Sequence, residues 1–484
     1  MSTESNNLVS RRGLLRTGAG LLLTTALPPL PGHAAGLNEY RIVAAPARAR
    51  LAGASHPETD VWAYDGTIPG SLVRLRQGEK ARLVVENRLD QETTVHWHGI
   101  RLPNAMDGVP GLTQPPIKPG GSFVYEFTPP DAGTFWYHPH ANSLEQLGRG
   151  LAGAVIVEER QPVAVDQDLL WLLTDWRLTD EGGIASGFGN RMEAAMSGRV
   201  GNTVTLNGQV SEAEPVRAGE RIRLRLVNGS LARIMALRFE GHRPLIVAID
   251  GQPCDPHVPE RGRILLGPAM RIDLMLDMEG EPGRRYGVID DFYDGLSYPV
   301  TQLAYDDRPP IREHLLDTPL DLPRNPLPEP DFPAAERHTL TLQGGMMGGG
   351  AMAGAGGMMG GGMMHGMMGM GGGPAWAING MSMTGDGHAG MKPALTFVRG
   401  RSIILAMHNE TAWWHPMHFH GHSLAVLSRN GMSVPHRQWQ DTVLMAPKDV
   451  VEVAFVADNP GDWMLHCHVV DHQMAGLMTV LRVA

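Results

Sequence analysis

Four short motifs place histidines two residues apart: His96-Trp97-His98, His138-Pro139-His140, His418-Phe419-His420 and His466-Cys467-His468. On an extended strand residues i and i+2 share a face, so each motif projects two imidazoles in one direction. Neutral imidazole is a common metal ligand, and eight such rings could enclose about two or three ions if the pairs meet. Cys467 lies between the last pair and therefore faces the opposite side of its strand, where the thiolate needs a metal of its own. His415 upstream and His472 downstream complete a set of two histidines and one thiolate, the donor combination of a blue-copper electron-transfer centre. An electron accepted at that thiolate site can leave through one residue's backbone to His466 or His468. One site then takes single electrons while the other accumulates several, and dioxygen, which needs four electrons to become two waters, is the acceptor that suits the pair.

The elements that must hold these residues are legible as a repeat. The run from Gly78 to Asn87 recurs from Gly219 to Asn228 and from Gly400 to Asn409, each with a turn glycine, alternating apolar residues and a closing asparagine. That period-2 pattern predicts a strand with one buried face. Nine residues after Asn87 and Asn409 stand His96 and His418, whereas the equivalent positions after Asn228 are Leu237 and, two further on, Phe239. Gly133 and Gly461 lead at +5 and +7 to the second histidine pairs; the comparable Gly283 leads to Val288 and Asp290. The first copy also has Thr93, Pro139 and Leu144 at the offsets of His415, Cys467 and His472, so the thiolate set belongs to the third copy alone.

Short alternating runs, Pro/Gly turns and the absence of a long 3.6-residue period predict an all-β chain of three consecutive β-sandwiches. The expected domains span 36–160, 161–305 and 334–484. Residues 306–333 carry eight prolines, too many for a central strand, and form the linker. Residues 344–373 are almost entirely Gly, Ala and Met, with ten methionines and His365. Glycine at that density leaves too little side chain to offset backbone entropy, so this insertion in the third domain cannot pack a core.

Lys plus Arg total 41 against 51 for Asp plus Glu, a net charge of −10 that excludes a nucleic-acid-binding surface and favours small or cationic partners. Residues 1–35 read as a twin-arginine export signal: Arg11-Arg12, an apolar run to Leu27, then Pro-Gly-His-Ala-Ala. That run is too short and interrupted for a stable membrane anchor. The expected location is the periplasm, reached folded through the twin-arginine machinery. Of the two cysteines, Cys254 in Gln-Pro-Cys-Asp-Pro reads as an isolated thiol in a turn, since pairing it with Cys467 would destroy the thiolate site.

Taken together, His96-Trp97-His98-Gly99, His138-Pro139-His140, His415-Pro416-Met417-His418-Phe419-His420-Gly421 and His466-Cys467-His468-x-x-x-His472 resemble the copper motifs of the multicopper oxidases, over nearly the whole mature chain. The resemblance implies three cupredoxin-like Greek-key sandwiches, about four copper ions per chain, and oxidation of a donor with reduction of dioxygen to water. It implies a type 2 copper at His96 and His418, a type 3 pair at His98, His138, His140, His420, His466 and His468, and a type 1 copper at His415, Cys467 and His472. Asp107, in Met-Asp-Gly, matches the family's acidic residue near the type 2 site, where a proton relay is needed.

Where many bacterial members place an axial methionine this chain has Leu477, with Met478 next; an absent thioether raises the copper potential, unless a one-residue shift lets Met478 reach the metal. The Met/Gly segment resembles the methionine-rich insertions of bacterial cuprous oxidases, and thioethers are soft donors suited to Cu(I). Thr411 and Trp413 stand where some cuprous oxidases carry an acid and a methionine, so a substrate copper would need other donors, such as Met381, Met383, Asp386 or Met391. Trp413 and Trp414 could instead floor an organic-substrate pocket. Three readings follow: a copper-tolerance oxidase acting on Cu(I), a laccase-like oxidase of phenols or aromatic amines, and a copper store without turnover.

Overall fold

The repeated strands sit at the same place in three sheets. The computed structural model describes residues 38–53, 55–317, 321–346, 374–386 and 388–484; the segment expected to be an export signal and nearly all of the Met/Gly insertion lie outside the described residues. Ala81–Asn87 pairs in parallel with Asn38–Ala49 and antiparallel with Ser122–Phe127. Arg221–Asn228 stands in the same way between Gln167–Trp176 and Arg271–Asp277, and Ser402–Asn409 between Glu336–Gly344 and Val450–Val456. Each of these sheets faces a second one in which a short strand pairs antiparallel with a longer strand. The pairs are His96–His98 with Gly133–His138, Met235–Phe239 with Arg285–Asp290, and His415–Phe419 with Gly461–Cys467.

Alternation along the strands decides what lies between the sheets. Leu83 and Val85 meet Trp97 and Tyr137; Leu224 and Leu226 meet Leu237 and Val288; Leu405 and Met407 meet Phe419, Leu465 and Cys467. Full burial of each such aliphatic side chain contributes about 1.5–3 kcal/mol, and this holds the sheets face to face. Among the described residues of the linker 306–333 there is no strand. Among the described residues no helix is long and apolar enough to cross a membrane.

The closing asparagine of the repeat has one task in all three copies. Its buried amide donates to two backbone carbonyls and accepts from the N–H two residues on: Asn87 to Gln91 and Ile117 and from Leu89, Asn228 to Arg233 and Leu266 and from Ser230, Asn409 to Trp413 and Ala446 and from Thr411. It clamps the turn that delivers the chain to the short inner strand, and thereby fixes where the residue nine positions later falls.

One aligned position shifts. Leu237 pairs with Asp290, as His96 pairs with His138 and His418 with His466, so Asp290 rather than Val288 occupies the first-histidine position in the second domain. Gly133 and Gly461 open their strands with φ of 144° and 141°, whereas Gly283 sits in a turn at φ 74°, before the strand begins at Arg285. The glycines that look equivalent in sequence are therefore different structural residues.

Candidate metal centres

The inner strands of the first and third domains bring all eight paired histidines together. Three groups form, His96–His98–His418, His98–His138–His468 and His140–His420–His466, each with ring nitrogens within 4.8 Å of one another. His96 Nε2 is 3.3 Å from His418 Nε2, His138 Nε2 lies 3.4 Å from His98 Nδ1 and 3.3 Å from His468 Nε2, and His420 Nε2 is 3.1 Å from His466 Nε2. Every ring is 3% exposed or less. Burial lowers the pKa of His98, His138, His140, His418, His420, His466 and His468, with the neighbouring imidazoles adding to the effect, so these rings are neutral at pH 7 and each keeps a lone pair.

Outer partners aim those lone pairs inward. The Nδ1–H groups of His96, His138, His418 and His466 donate to the backbone carbonyls of Asp107, Pro139, Asp441 and Cys467, and His420 Nδ1–H donates to the Asp107 carboxylate at 2.9 Å. His98 is turned the other way: Nε2–H donates to Asp441 Oδ1 and Thr442 Oγ1, both at 3.1 Å, which leaves Nδ1 for the cluster. Such second contacts fix tautomer and ring orientation at metal sites. His140 has no partner at either nitrogen and His468 none at Nδ1. Eight converging, desolvated nitrogen donors of this kind fit copper ions and no ordinary hydrogen-bonded core.

Asp107 reaches this cluster through a tight turn. Gly108 takes φ 86°, and a Cβ there would lie 2.0 Å from the Val95 carbonyl, so only glycine lets the Met-Asp-Gly segment press against the His96 strand. Asp107 then touches rings from both domains, His96 through its carbonyl and His420 through its carboxylate.

On the other face of the same strand, Cys467 Sγ lies 3.4 Å from His415 Nδ1 and 3.6 Å from His472 Nδ1, and all three residues are buried. His415 Nε2–H donates to Thr411 Oγ1, which in turn donates to the repeat residue Asn409, and His472 Nε2–H donates to the carbonyl of Met196 in the second domain. Thr411 thus orients a ring of this set rather than leaving a gap in it. Burial pushes the Cys467 thiol well above its usual range, so a metal must displace the proton. Leu477 packs in the core that contains Cys467, while Met478 pairs with His466 and packs with Val109 and Met464. Strand alternation therefore puts Leu477, not Met478, on the thiolate side.

Of the other donors named for a substrate copper, Met381 is exposed, Met383 and Met391 pack against Met464 and Met478, and Asp386 borders a separate cavity. Trp413 Nε1–H donates to the Met346 carbonyl, and the Trp414 ring packs edge-on to Phe292.

Sequence reasoning missed the buried polar group behind the cluster. Arg271, from the second domain, makes a two-point contact with Asp441 of the third, 2.8 Å at Oδ1, and also donates to the Thr134 carbonyl of the first. Asp250 accepts from the backbone N–H of Arg271, Asp441 and Thr442. Burial works to raise the Asp441 pKa, but the Arg271 charge and hydrogen bonds and the bond from His418 outweigh it and keep the carboxylate ionised. The available signal was Gly99, which closes His-x-His-Gly: it has φ 85°, and a Cβ there would lie 2.2 Å from the Arg271 guanidinium.

Sequence models of the family described as multicopper oxidase match residues 47–162, 167–297 and 366–484. A curated relative, Multicopper oxidase MmcO of Mycobacterium tuberculosis, is 31% identical over 98% of this chain and 96% of its own length. Copper resistance protein A of Pseudomonas syringae pv. tomato is 33% identical over 45% of this chain and 43% of its own, and a protein named Laccase from Cryphonectria parasitica is 26% identical over 86% and 77%. The crystal structure of a multi-copper oxidase from Pseudomonas Thermotolerans has a TM-score of 0.80 and 34% identity, covering 93% of this chain and 100% of that one. With motifs, geometry and relatives in agreement along the described chain, the protein belongs to the multicopper oxidase family.

Proposed function

We propose that this protein is a copper-tolerance oxidase, exported to the periplasm by its twin-arginine segment, that oxidises Cu(I) to Cu(II) and reduces dioxygen to water. Four Cu(I) ions each give one electron, and dioxygen takes four electrons and four protons to form two waters. About four resident copper ions serve this balance. His415, Cys467 and His472 hold the type 1 ion, His96 and His418 the type 2 ion, and His98, His138, His140, His420, His466 and His468 the type 3 pair. Bound copper supplies one-electron chemistry at the thiolate set and multi-electron chemistry toward dioxygen at the histidine cluster.

The chain's own part is to bind, orient and connect. Cys467 is peptide-bonded to a cluster ligand on each side, so the two ligand sets share one strand. Asp107 touches rings of both cluster domains and is the acid or base placed to move protons at the oxygen-reducing site. Burial of all eight rings excludes bulk water and keeps the ligands fixed.

The observation that carries the Cu(I) reading is where the Met/Gly insertion leaves and rejoins the fold. Met346 N–H donates to the Ala195 carbonyl and Gly345 N–H to that of Ala375, and Ala375 N–H donates to Ala475, just past the His472 helix. Trp376, two residues after the insertion's return at Pro374, packs its ring 4.4 Å from His472 and 5.0 Å from His415. The described residues that flank the ten-methionine segment, 344–346 and 374–376, therefore lie beside the thiolate set. Deleting residues 347–370 tests this: loss of Cu(I) oxidation with retained or increased phenol oxidation supports the proposal, and unchanged Cu(I) kinetics removes the segment from the mechanism. The laccase-like alternative is supported by relatives carrying that name, and the deletion discriminates against it. A protein that gained copper on the segment without consuming dioxygen would be a store instead.

A further inference from the structure

The eight-histidine cluster is sealed, so the ions it holds need a way in. Between the first domain and the loop that follows the Met/Gly insertion lies a cavity of about 430 Å³. Its wall includes Gln91, Glu92, Asn142, Asp386 and His388 and no lysine or arginine. Two carboxylates without a counter-cation attract cations and repel anions. An apolar gas would need neither.

His388 is only 1% exposed, yet neither ring nitrogen has a partner, and Asp386 Oδ1 is likewise unpartnered. Burying such groups without hydrogen bonds is costly, and a ligand in the cavity would offset that cost. The His388 ring lies edge-on to that of His140, with centroids 6.1 Å apart. His140 is itself unpartnered at both nitrogens and belongs to the group with His420 and His466. Unclaimed donor atoms, Asp386 Oδ1 and the ring nitrogens of His388 and His140, therefore run from the cavity to one cluster ligand.

We propose that this cavity is the vestibule through which copper enters the oxygen-reducing cluster during assembly: Asp386 captures the ion and His388 hands it to His140. The transfer is ligand exchange, in which bound water leaves as Asp386 binds, the Asp386 carboxylate leaves as His388 binds and the His388 nitrogen leaves as His140 binds, and no electron moves. The inference rests on the reading that the eight histidines hold copper.

The test uses the full-length copper-free protein mixed anaerobically with Cu(I). Samples are quenched with chelator over time, their protein-bound copper is counted, and the thiolate site is followed separately by its blue absorption after air oxidation. His388→Ala and Asp386→Asn should slow cluster filling about tenfold or more, with the blue site filling at the parental rate and the same final copper number. His388→Gln, close in size and polarity, guards against a folding artefact and should slow filling less than His388→Ala. Filling at the parental rate in all three variants would overturn the proposal. So would unchanged filling with a raised KM for dioxygen, which would make the cavity a gas passage. If the parent protein itself takes up no copper beyond the blue site, the underlying assignment of the cluster fails instead, and the two failures are distinct.

Discussion

The second domain repeats the central strands of the first and third, down to the clamping asparagine, and yet offers no histidine at the matching positions. Leu237, Phe239 and Asp290 stand where His96, His98 and His138 stand in the first domain. The comparison separates two things that the fold alone would confound. The sandwich supplies an address, an inner strand with two residues on one face, and residue type decides whether that address holds an ion or a core. The second domain contributes in another way: Arg271 and Asp250 fix Asp441 behind His98 and His418, and the Met196 carbonyl fixes His472.

Making an outer domain resemble the inner one should have the largest effect. His418→Leu removes one of two donors assigned to the type 2 ion, and dioxygen uptake should fall about 1,000-fold, with type 2 copper lost and the blue absorption kept. Uptake above a tenth of the parental rate would break the comparison. Next in size, Asp441→Asn or Arg271→Met should weaken cluster copper or turnover about 10–100-fold without changing the blue band, since both act through rings they only orient. Loss of the blue band together with the cluster would mean that the group merely holds the fold.

The reverse exchange should be smaller and purely structural. Leu237→His with Phe239→His puts polar rings into a core and should cost about 1–3 kcal/mol per site in thermal unfolding, with no gain in bound copper, because Asp290 and Phe292 offer no second imidazole pair. A bound extra ion would show that the inner frame alone suffices. Smaller again is Leu477→Met, which should lower the reduction potential of the blue site by offering an axial thioether; an unchanged potential would mean that Leu477 does not face the metal.

Acid should expose the shared burial of the rings. Burial lowers the folded pKa of His472 to about 3 and that of His388 to about 4, and lowers His415, His98, His138, His140, His418, His420, His466 and His468 in the same direction, from about 6.5 in the unfolded chain. Between about pH 4 and 6.5 the unfolded chain therefore binds more protons, and copper-free protein loses stability as the pH falls through that window. Asp386 and Asp471, raised by burial to about 6, take up protons in the folded state and offset part of the loss. The Tm of copper-free protein should be lower at pH 5 than at pH 7, with copper-loaded protein above it at both; a Tm that rises toward pH 5 would contradict this balance.

Much of this was readable in the chain because strand periodicity is local. A histidine two residues from another shares its face whatever lies elsewhere, and a repeat fixes equivalent positions without any knowledge of packing. The partners of those histidines were not readable. Arg271 and Asp441 are far apart in the chain, and Arg271 looks in sequence like an ordinary strand-end charge; only the meeting of three domains buries it. The Gly283 alignment failed because a glycine in a turn and a glycine opening a strand are the same letter with different φ. The choice between Leu477 and Met478 needed a register, which the pairing of Met478 with His466 supplies.

The most direct test is Cys467→Ser, assayed for steady-state dioxygen uptake with Cu(I) as donor and for bound copper. Loss of the blue absorption, retention of copper in the histidine cluster and an uptake about 100-fold or more below the parent are expected, because the entry point for electrons is gone while the oxygen-reducing ligands remain. Uptake at the parental rate in a protein without its thiolate would contradict the account.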